Sequence, residues 1–208
     1  MNIDQYTTLH TSPDEALLNE LVRYTHLHTM SPRMLSGRLQ GRLLTMFSAM
    51  LQPRRILEIG TFTGYATLCL AKGLAHGGEI HTIERNDELQ DSILSFFKRS
   101  PQADSIKLHI GDALDIIPEL HDTFDLVYID GDKREYTQYY HAVFDKVRHG
   151  GFIIADNVLW DGKVLDKPAP NDAQTQNIIQ FNNLVHDDPR VENLLLPVRD
   201  GLLIAQKK

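Results

Sequence analysis

The sequence predicts an α/β fold, a doubly wound and mostly parallel sheet of seven strands that ends in an antiparallel hairpin and follows N-terminal helices. After Pro53, short apolar segments alternate with helical segments, and this alternation implies right-handed crossovers between parallel strands. Segments 56–59 and 126–129 are short and mostly apolar, as parallel strands covered on both faces require. Near the C-terminus, Asp200-Gly201 lies between two apolar runs, which favours a hairpin.

The elements follow from local patterns along the chain. A helix is expected over 13–29, with Ser12 as N-cap and Pro13 in the first helical position. A second helix is expected over 35–51, where Leu and Met residues recur at intervals of three and four. The predicted strands are 55–60, 79–84, 105–110, 124–130, 151–155, 191–197 and 202–205. The later helices are expected at 65–75, 87–98, 114–120, 133–147 and near 172–186.

Length and composition limit the class of protein. The chain has 208 residues, which suits a single domain, with residues 1–52 as a helical cap and 53–208 as the α/β core. One cysteine excludes an internal disulfide and indicates a reducing compartment. The N-terminus lacks the pattern of a signal peptide, and no apolar run is long enough to span a membrane, so a cytoplasmic protein is expected. A net charge of -7 disfavours nucleic-acid binding.

The turn after the first strand is a candidate cofactor site. Glu58 precedes a turn from Gly60 to Gly64, and ligands of open α/β sheets bind beyond the carboxyl ends of strands. Glu84 ends the next strand, 24 residues after Gly60, where an acid can accept both ribose hydroxyls. The third glycine of a dinucleotide fingerprint is missing, and a carboxylate at Glu58 would repel a pyrophosphate. The pattern therefore favours S-adenosylmethionine, with a merely connecting glycine turn as the structural alternative.

Two further predicted strands end in acids. Asp130 follows the fourth strand, and Asp156 and Asn157 follow the fifth. If the sheet runs first, fourth, fifth, these side chains converge, and their oxygens suit Mg²⁺, Mn²⁺ or Ca²⁺ better than zinc. The alternative is that they are turn or N-cap residues. Lys133 is either a solvated lysine or a general base whose pKa a nearby cation would lower.

At these residues the sequence resembles the cation-dependent O-methyltransferases, the family of caffeoyl-CoA and catechol O-methyltransferases and their bacterial relatives. The likeness runs from about Met34 to the C-terminus and includes LEIGTFTGYAT, GDALDIIP, YIDGDKREYTQYY and GGFIIADNVLWDGKV. It implies a Rossmann-like methyltransferase sheet, a homodimer and a metal site formed by Asp130, Asp156 and Asn157. It also implies that Lys133, with Asp130, is catalytic. The cofactor contacts that it implies are Met34, Glu58, Gly60, Thr61, Gly64, Ala66, Glu84, Ala113, Asp130 and Asp132.

The acceptor is the least determined part of this interpretation. The resemblance places Trp160 as a wall on the substrate side, and Asp161 stands where the plant caffeoyl-CoA enzymes carry a substrate-contacting asparagine. The leading hypothesis is metal-assisted O-methylation of a catechol-like small molecule. The second is methylation of 5-hydroxyuridine in tRNA, which a group of arginines would favour. The third is a non-catalytic cofactor-binding module or a dinucleotide-dependent reductase. The arginines are Arg33, Arg38, Arg42, Arg54 and Arg55.

Overall fold

The computed structural model describes residues 1–208, apart from the side chain of Asp4. Its seven strands form one sheet in the order β3-β2-β1-β4-β5-β7-β6. The strands are β1 (Arg55–Ile59), β2 (Glu79–Glu84), β3 (Ile106–Ile110), β4 (Phe124–Ile129), β5 (Val147–Asp156), β6 (Val191–Leu196) and β7 (Leu202–Lys207). The pairs β1–β4, β2–β3 and β4–β5 are parallel, whereas β7 pairs antiparallel with β5 and β6. The predicted fold, with neighbouring first, fourth and fifth strands, is confirmed.

Eight α-helices accompany the strands in the described chain. They are α1 (Ile3–Leu9), α2 (Ala16–His28), α3 (Gly37–Leu51), α4 (Tyr65–Ala71), α5 (Gln90–Phe97), α6 (Ala113–Glu119), α7 (Tyr136–Phe144) and α8 (Ala173–Asp187). Among the described residues, no helix combines the length and the apolar character that a membrane crossing needs. The chain forms two compact units, one of Met1–Arg54 with Thr61–Ile110 and the other of Arg55–Gly60 with Gly111–Lys208.

In the first unit, the beginning of the second helix differs from the prediction. α2 starts at Ala16 with Glu15 as N-cap, so Pro13 is not its first residue. The Pro13 carbonyl instead accepts a hydrogen bond from Arg42 Nη2 at 2.8 Å, and the Asp14 carboxylate accepts one from the Tyr65 hydroxyl at 2.8 Å. These tertiary contacts hold the segment before α2 extended, and they override the local capping signal.

Helix α3 was predicted from an apolar repeat, but its buried face is a different one. Leu39, Met46 and Met50 are exposed, and Met50 retains 80% of its accessible surface. The buried residues are Gln40, Gly41, Leu44 and Ser48. A Cβ on Gly41 would lie 2.5 Å from the Tyr65 ring, so α3 and α4 approach too closely for a large side chain there. Small residues, rather than the apolar stripe, therefore decide which face packs inside.

Other boundaries also differ from the prediction, and α1 was not predicted. α4 ends at Ala71, four residues early, because Gly73 lies directly against the backbone of Ser48 and Ala49. In the second unit, the helix expected to reach residue 147 ends at Phe144, and β5 begins at Val147 instead of 151. Lys207 Nζ donates to the carbonyls of Phe144 and Val147 at 2.9 and 2.8 Å, which satisfies the end of α7 and fixes this boundary.

Candidate active site

The first unit presents a turn that begins at Thr61 and ends where α4 begins. The Thr61 amide donates to the Ile83 carbonyl at 3.2 Å, and the Thr61 hydroxyl lies 2.5 Å from the hydroxyl of Thr82. Gly64 has a φ of +92°, and a Cβ there would lie 2.5 Å from the Phe97 ring. Glycine is therefore required at the end of this turn, both for the backbone conformation and for the close approach.

Glu84 closes the same turn through two backbone hydrogen bonds. Its Oε2 accepts from the Phe62 amide at 2.7 Å, and its Oε1 accepts from the Asn86 amide at 2.8 Å. Burial raises the pKa of Glu84, and the surrounding backbone amides partly offset that rise. A carboxylate has about four acceptor positions on its two oxygens. Glu84 is thus a rigidly held acceptor that suits a ligand with two neighbouring hydroxyl groups.

The second unit contains the ends of β1 and β4, which lie in close contact at Gly60. Gly60 has a φ of +97°, and a Cβ there would lie 2.2 Å from the Asp130 carbonyl oxygen. The Asp130 amide donates to the Ile59 carbonyl at 2.8 Å, which ties the end of β1 to the end of β4. Glu58, on β1, is fully buried. Any side chain at Gly60 would force the two strand ends apart.

Asp130 and Asp156 follow neighbouring positions of β4 and β5, since Ile129 pairs with Ala155. Asp156 is only 3% exposed. Its carboxylate accepts from the Tyr128 hydroxyl at 3.2 Å and from the backbone amide of Asn157 at 2.7 Å. Parallel strands lie about 4.8 Å apart, so the two acids come close together. The predicted convergence of the fourth and fifth strand ends therefore has a structural basis in the register.

Lys133 is directed back towards the first of these acids. Its Nζ donates to Asp130 Oδ1 at 2.8 Å and to the Gly131 carbonyl at 3.2 Å, and the residue is only 8% exposed. The solvated-lysine alternative is therefore excluded by burial. The Tyr136 hydroxyl donates to the Asp156 carbonyl at 2.9 Å. Burial and then the charges of Asp130 and Asp156 raise the pKa of Tyr136, which keeps it protonated beside both acids.

The segment after β5, which includes the kinked 3-10 helix Trp160–Leu165, carries three non-glycine residues with positive φ: Asn157, Trp160 and Asp161. It is held by the turn between β6 and β7. The amides of Val158 and Leu159 donate to the carbonyls of Gly201 and Asp200, and the Asp161 amide donates to Asp200 Oδ1 at 2.6 Å. Trp160 Nε1 is buried without a hydrogen-bond partner among the described residues. Non-glycine residues with positive φ, such as these three, cluster at functional sites.

Four of the predicted cofactor contacts differ in their exposure and partners. Met34, on a 3-10 turn before α3, is 58% exposed. The Asp132 carboxylate forms an ion pair with Arg134. Ala66 on α4 and Ala113 at the start of α6 are buried.

Sequence reasoning missed three residues of the second unit's site. Tyr128 could have been found from strand alternation, because residues two apart on a strand share a face and it precedes Asp130 by two. Tyr136 and Asp200 carry no such local signal.

The oxygen donors at the ends of β4 and β5 fit a hard divalent cation. Within the described residues, no group of three or more His, Cys, Asp or Glu side chains is placed to hold a metal ion. The predicted set consists of two carboxylates and one asparagine amide, so it contains only two side chains of those four types. A carboxylate offers about four acceptor positions, so the hydrogen bonds from Tyr128 and from the backbone amide of Asn157 do not by themselves exclude a cation at Asp156. The donor chemistry therefore suits Mg²⁺, Mn²⁺ or Ca²⁺.

Comparison with known proteins identifies the family. A family model described as O-methyltransferase matches residues 8–208. A caffeoyl-CoA O-methyltransferase from Pinus taeda is 31% identical over 204 residues, which cover 91% of this chain and 77% of that protein. An O-methyltransferase from Bacillus cereus, solved in complex with SAH, is 31% identical and superimposes with a TM-score of 0.92 over 99% of this chain and 97% of that one.

A third similar protein is TomG from Streptomyces achromogenes, an O-methyltransferase involved in tomaymycin synthesis and solved in complex with SAM. It is 29% identical, with a TM-score of 0.91 over 99% of this chain and 96% of that one. The family model covers nearly the whole chain, and the pine protein matches over most of both lengths. The chain therefore belongs to the O-methyltransferase family, and it is an O-methyltransferase.

Proposed function

We propose that this enzyme transfers a methyl group from S-adenosylmethionine to one of two adjacent hydroxyl groups on a small, catechol-like molecule, with the help of a divalent cation. The observation that carries the proposal is the buried contact between Lys133 Nζ and Asp130 Oδ1, on the chain that follows β4 and beside Asp156. It combines a proton acceptor with cation-binding oxygens in one place. The similar bacterial proteins with bound SAH and SAM support the choice of methyl donor.

The residues around the glycine turn would hold the methyl donor, which supplies a methyl group activated by a sulfonium. Glu84 would accept both ribose hydroxyls, and its two backbone hydrogen bonds fix the carboxylate for that role. Glu58, a buried carboxylate, would face the positively charged end of the ligand. The full proposed set is Met34, Glu58, Gly60, Thr61, Gly64, Ala66, Glu84, Ala113, Asp130 and Asp132.

Asp130, Asp156 and Asn157 would hold the cation, with Mg²⁺ favoured and Mn²⁺ or Ca²⁺ as alternatives. When bound, the cation acts as a Lewis acid that lowers the pKa of an acceptor hydroxyl. The Tyr128 hydroxyl and the backbone amide of Asn157 keep the Asp156 carboxylate in one orientation. Low exposure of Asp156 limits competition from water.

In its neutral amine form, after Nζ has released one proton to solvent, Lys133 would take the proton from the acceptor hydroxyl at Nζ. The ammonium so formed is stabilised where it lies, by Asp130 Oδ1 and by the Gly131 carbonyl. Positioned proton transfer of this type contributes about 10²–10⁴-fold to rates. Trp160 and Asp161 would line the acceptor side, on the loop that the hairpin turn holds in place.

Methylation of 5-hydroxyuridine in tRNA is the alternative acceptor chemistry. Two of the arginines that would favour it are used within the protein, since Arg42 donates to the Pro13 carbonyl and Arg55 pairs with Asp122. The net charge of -7 also supports a small-molecule acceptor. We therefore keep the small molecule as the proposal. Because the chain belongs to the O-methyltransferase family, a dinucleotide-dependent reductase is the weaker hypothesis.

An acceptor screen tests the proposal. Catechols, caffeoyl esters, flavonoids and hypomodified tRNA are each incubated with the enzyme, S-adenosylmethionine and Mg²⁺, and methyl transfer is measured. The expected result is transfer to acceptors with adjacent hydroxyls and none to matched monohydroxyl compounds. Transfer to tRNA alone would favour the alternative, and transfer to monohydroxyl compounds at equal rate would contradict the chelated-acceptor proposal. The homodimer and the cytoplasmic location stay predictions, and sedimentation velocity would test the first.

A further inference from the structure

Thr63 lies between two of the proposed cofactor contacts, Thr61 and Gly64, and its hydroxyl is bonded to a helix outside their turn. Thr63 Oγ1 lies 2.9 Å from Oγ1 of Thr25 on α2, which is 38 positions earlier in the chain. Thr63 is 1% exposed and Thr25 is 0% exposed. The pair therefore joins the N-terminal part of the chain to the turn in a place that is shielded from solvent.

The direction of this hydrogen bond follows from a second one. A threonine hydroxyl has a single hydrogen to donate, whereas a backbone carbonyl can only accept. Thr25 Oγ1 lies 2.8 Å from the Leu21 carbonyl, so its hydrogen is used there. Thr63 must then donate to Thr25 Oγ1, which makes Thr25 the acceptor for the turn. Loss of that acceptor would leave a buried donor of the turn without this partner, which is costly.

The backbone of the turn needs to be held, because Phe62 has a φ of +50° although it is not a glycine. Such a conformation persists only where the surrounding structure fixes it. From the end of β2, Glu84 Oε2 accepts from the Phe62 amide at 2.7 Å. From α2, Thr25 holds the next residue, Thr63. Two separate elements therefore fix the turn on both sides of one peptide bond.

Helix α2 is held by contacts other than Thr25. Arg99, just after α5, donates to both oxygens of the Glu20 carboxylate, at 2.7 and 2.5 Å. The rings of Tyr24 and Phe96 make an edge contact, with their centroids 5.4 Å apart. Removal of the Thr25 hydroxyl should therefore release the turn and leave the helix in place.

We infer that Thr25 is a positioning residue for the methyl donor, because its Oγ1 holds Thr63 and so keeps the turn in the conformation that binds the cofactor. The inference rests on the proposed function, which places S-adenosylmethionine at this turn. It assigns Thr25 no contact with the cofactor. One hydrogen bond of this kind corresponds to about 2–12-fold in an equilibrium constant.

The test measures binding of S-adenosylhomocysteine by calorimetry, so that no acceptor is needed. Thr25→Val keeps the shape of the side chain and removes the acceptor, and we expect it to weaken binding by about 2–12-fold. Thr25→Ser keeps the hydroxyl and should bind like wild type. Thr63→Val removes the donor from the turn. The double valine variant should lose no more than the weaker-binding single variant, because both changes break the same hydrogen bond.

Thr29→Val is the matched control. The Thr29 hydroxyl, at the end of the same helix, donates to the Thr25 carbonyl at 2.7 Å, and its loss should not change binding. Urea unfolding midpoints without ligand are measured for every variant, because a purely structural role would lower the midpoint and leave the affinity of the folded chain unchanged. If Thr25→Val does not fold, Thr63→Val replaces it, since it breaks the same hydrogen bond and leaves no buried donor behind.

The outcomes are distinguishable. Wild-type affinity in Thr25→Val, or an equal loss in Thr25→Ser or Thr29→Val, would overturn the role of Thr25 and leave the proposed function standing. A wild-type chain that binds no S-adenosylhomocysteine would overturn both. If wild type binds S-adenosylhomocysteine but methylates no acceptor with adjacent hydroxyls, the proposed acceptor is refuted, and the measured affinities still decide the role of Thr25.

Discussion

Glu84 and Asp156 both lie at the carboxyl ends of buried strands, but their carboxylates are held in different ways. Glu84 accepts two hydrogen bonds from backbone amides, those of Phe62 and Asn86. Asp156 accepts one from the backbone amide of Asn157 and one from a side-chain hydroxyl, that of Tyr128, and Asp130 beside it accepts from Lys133 Nζ. Backbone donors cannot exchange their role, whereas hydroxyl and ammonium groups can rearrange and can move protons.

The difference indicates a division of labour. The Glu84 turn is built to recognise one ligand shape, and the chemistry belongs to the side-chain network at the ends of β4 and β5. Changes to the first should therefore alter binding of S-adenosylmethionine and leave the chemical step almost intact. Changes to the side-chain network should slow the chemical step and leave binding of S-adenosylmethionine almost intact.

The largest effect is expected from Lys133→Ala. Removal of the proton acceptor should lower kcat by about 10²–10⁴-fold, while the Kd for S-adenosylhomocysteine stays within about twofold. Lys133→Arg should be equally slow, because a guanidinium can still pair with Asp130 but does not give up its proton at usable pH. Lys167→Ala, at an exposed position, is the control. A kcat for Lys133→Ala close to that of wild type would remove Lys133 from the mechanism.

A smaller effect, on the other side of the comparison, is expected from Glu84→Gln. Hydrogen bonds to a charged group are worth about 1.5–3 kcal/mol, so affinity for S-adenosylhomocysteine should fall by roughly 10–150-fold. Mn²⁺ affinity should not change. Glu88→Gln, at an exposed position in the 3-10 helix that follows β2, serves as the matched control and should bind normally. Equal loss of Mn²⁺ binding in Glu84→Gln would show that the two carboxylate sites are not separable.

The smallest effect is a pH dependence of cofactor binding. Burial raises the pKa of Glu84 above its ordinary value of 4.5, so protonation begins at a higher pH than for a solvated glutamate. The ionised form accepts the ribose hydroxyls, and affinity should therefore be full above the raised pKa and decline as the pH falls through it. Calorimetric titration from pH 8 downwards measures this. Glu84→Gln should lack the decline, and an identical decline in that variant would assign it to another group.

Much of the fold could be predicted because its signals are local or periodic. The limits of β2 agree with the predicted 79–84, and the hairpin at Asp200-Gly201 forms where the Asp-Gly pair lies. Features set by tertiary contacts were not predictable in this way. Pro13 does not begin α2, and its carbonyl accepts a hydrogen bond from Arg42 instead. The buried face of α3 is set by the close contact between Gly41 and Tyr65.

The candidate site shows the same division. Asp130, Asp156 and Lys133 lie at strand ends or directly after them, where a sequence pattern can point to them. Asp200, which accepts from the Asp161 amide, is separated from that residue by 39 positions, and the pairing of β5 with β7 brings its turn to that loop. A residue whose role depends on such a long-range contact carries no signal of that role in its own neighbourhood.

The cation dependence of methyl transfer tests the central claim most directly. Initial rates are measured for wild type and Asp130→Ala with a catechol acceptor, in Mg²⁺ and in EDTA, and S-adenosylhomocysteine binding is measured in parallel. We expect EDTA to abolish wild-type turnover, Mg²⁺ to restore it, and Asp130→Ala to be inactive in both while it keeps most of its affinity for S-adenosylhomocysteine, since Asp130 is only one of the proposed cofactor contacts. Full activity of Asp130→Ala in EDTA would contradict the account.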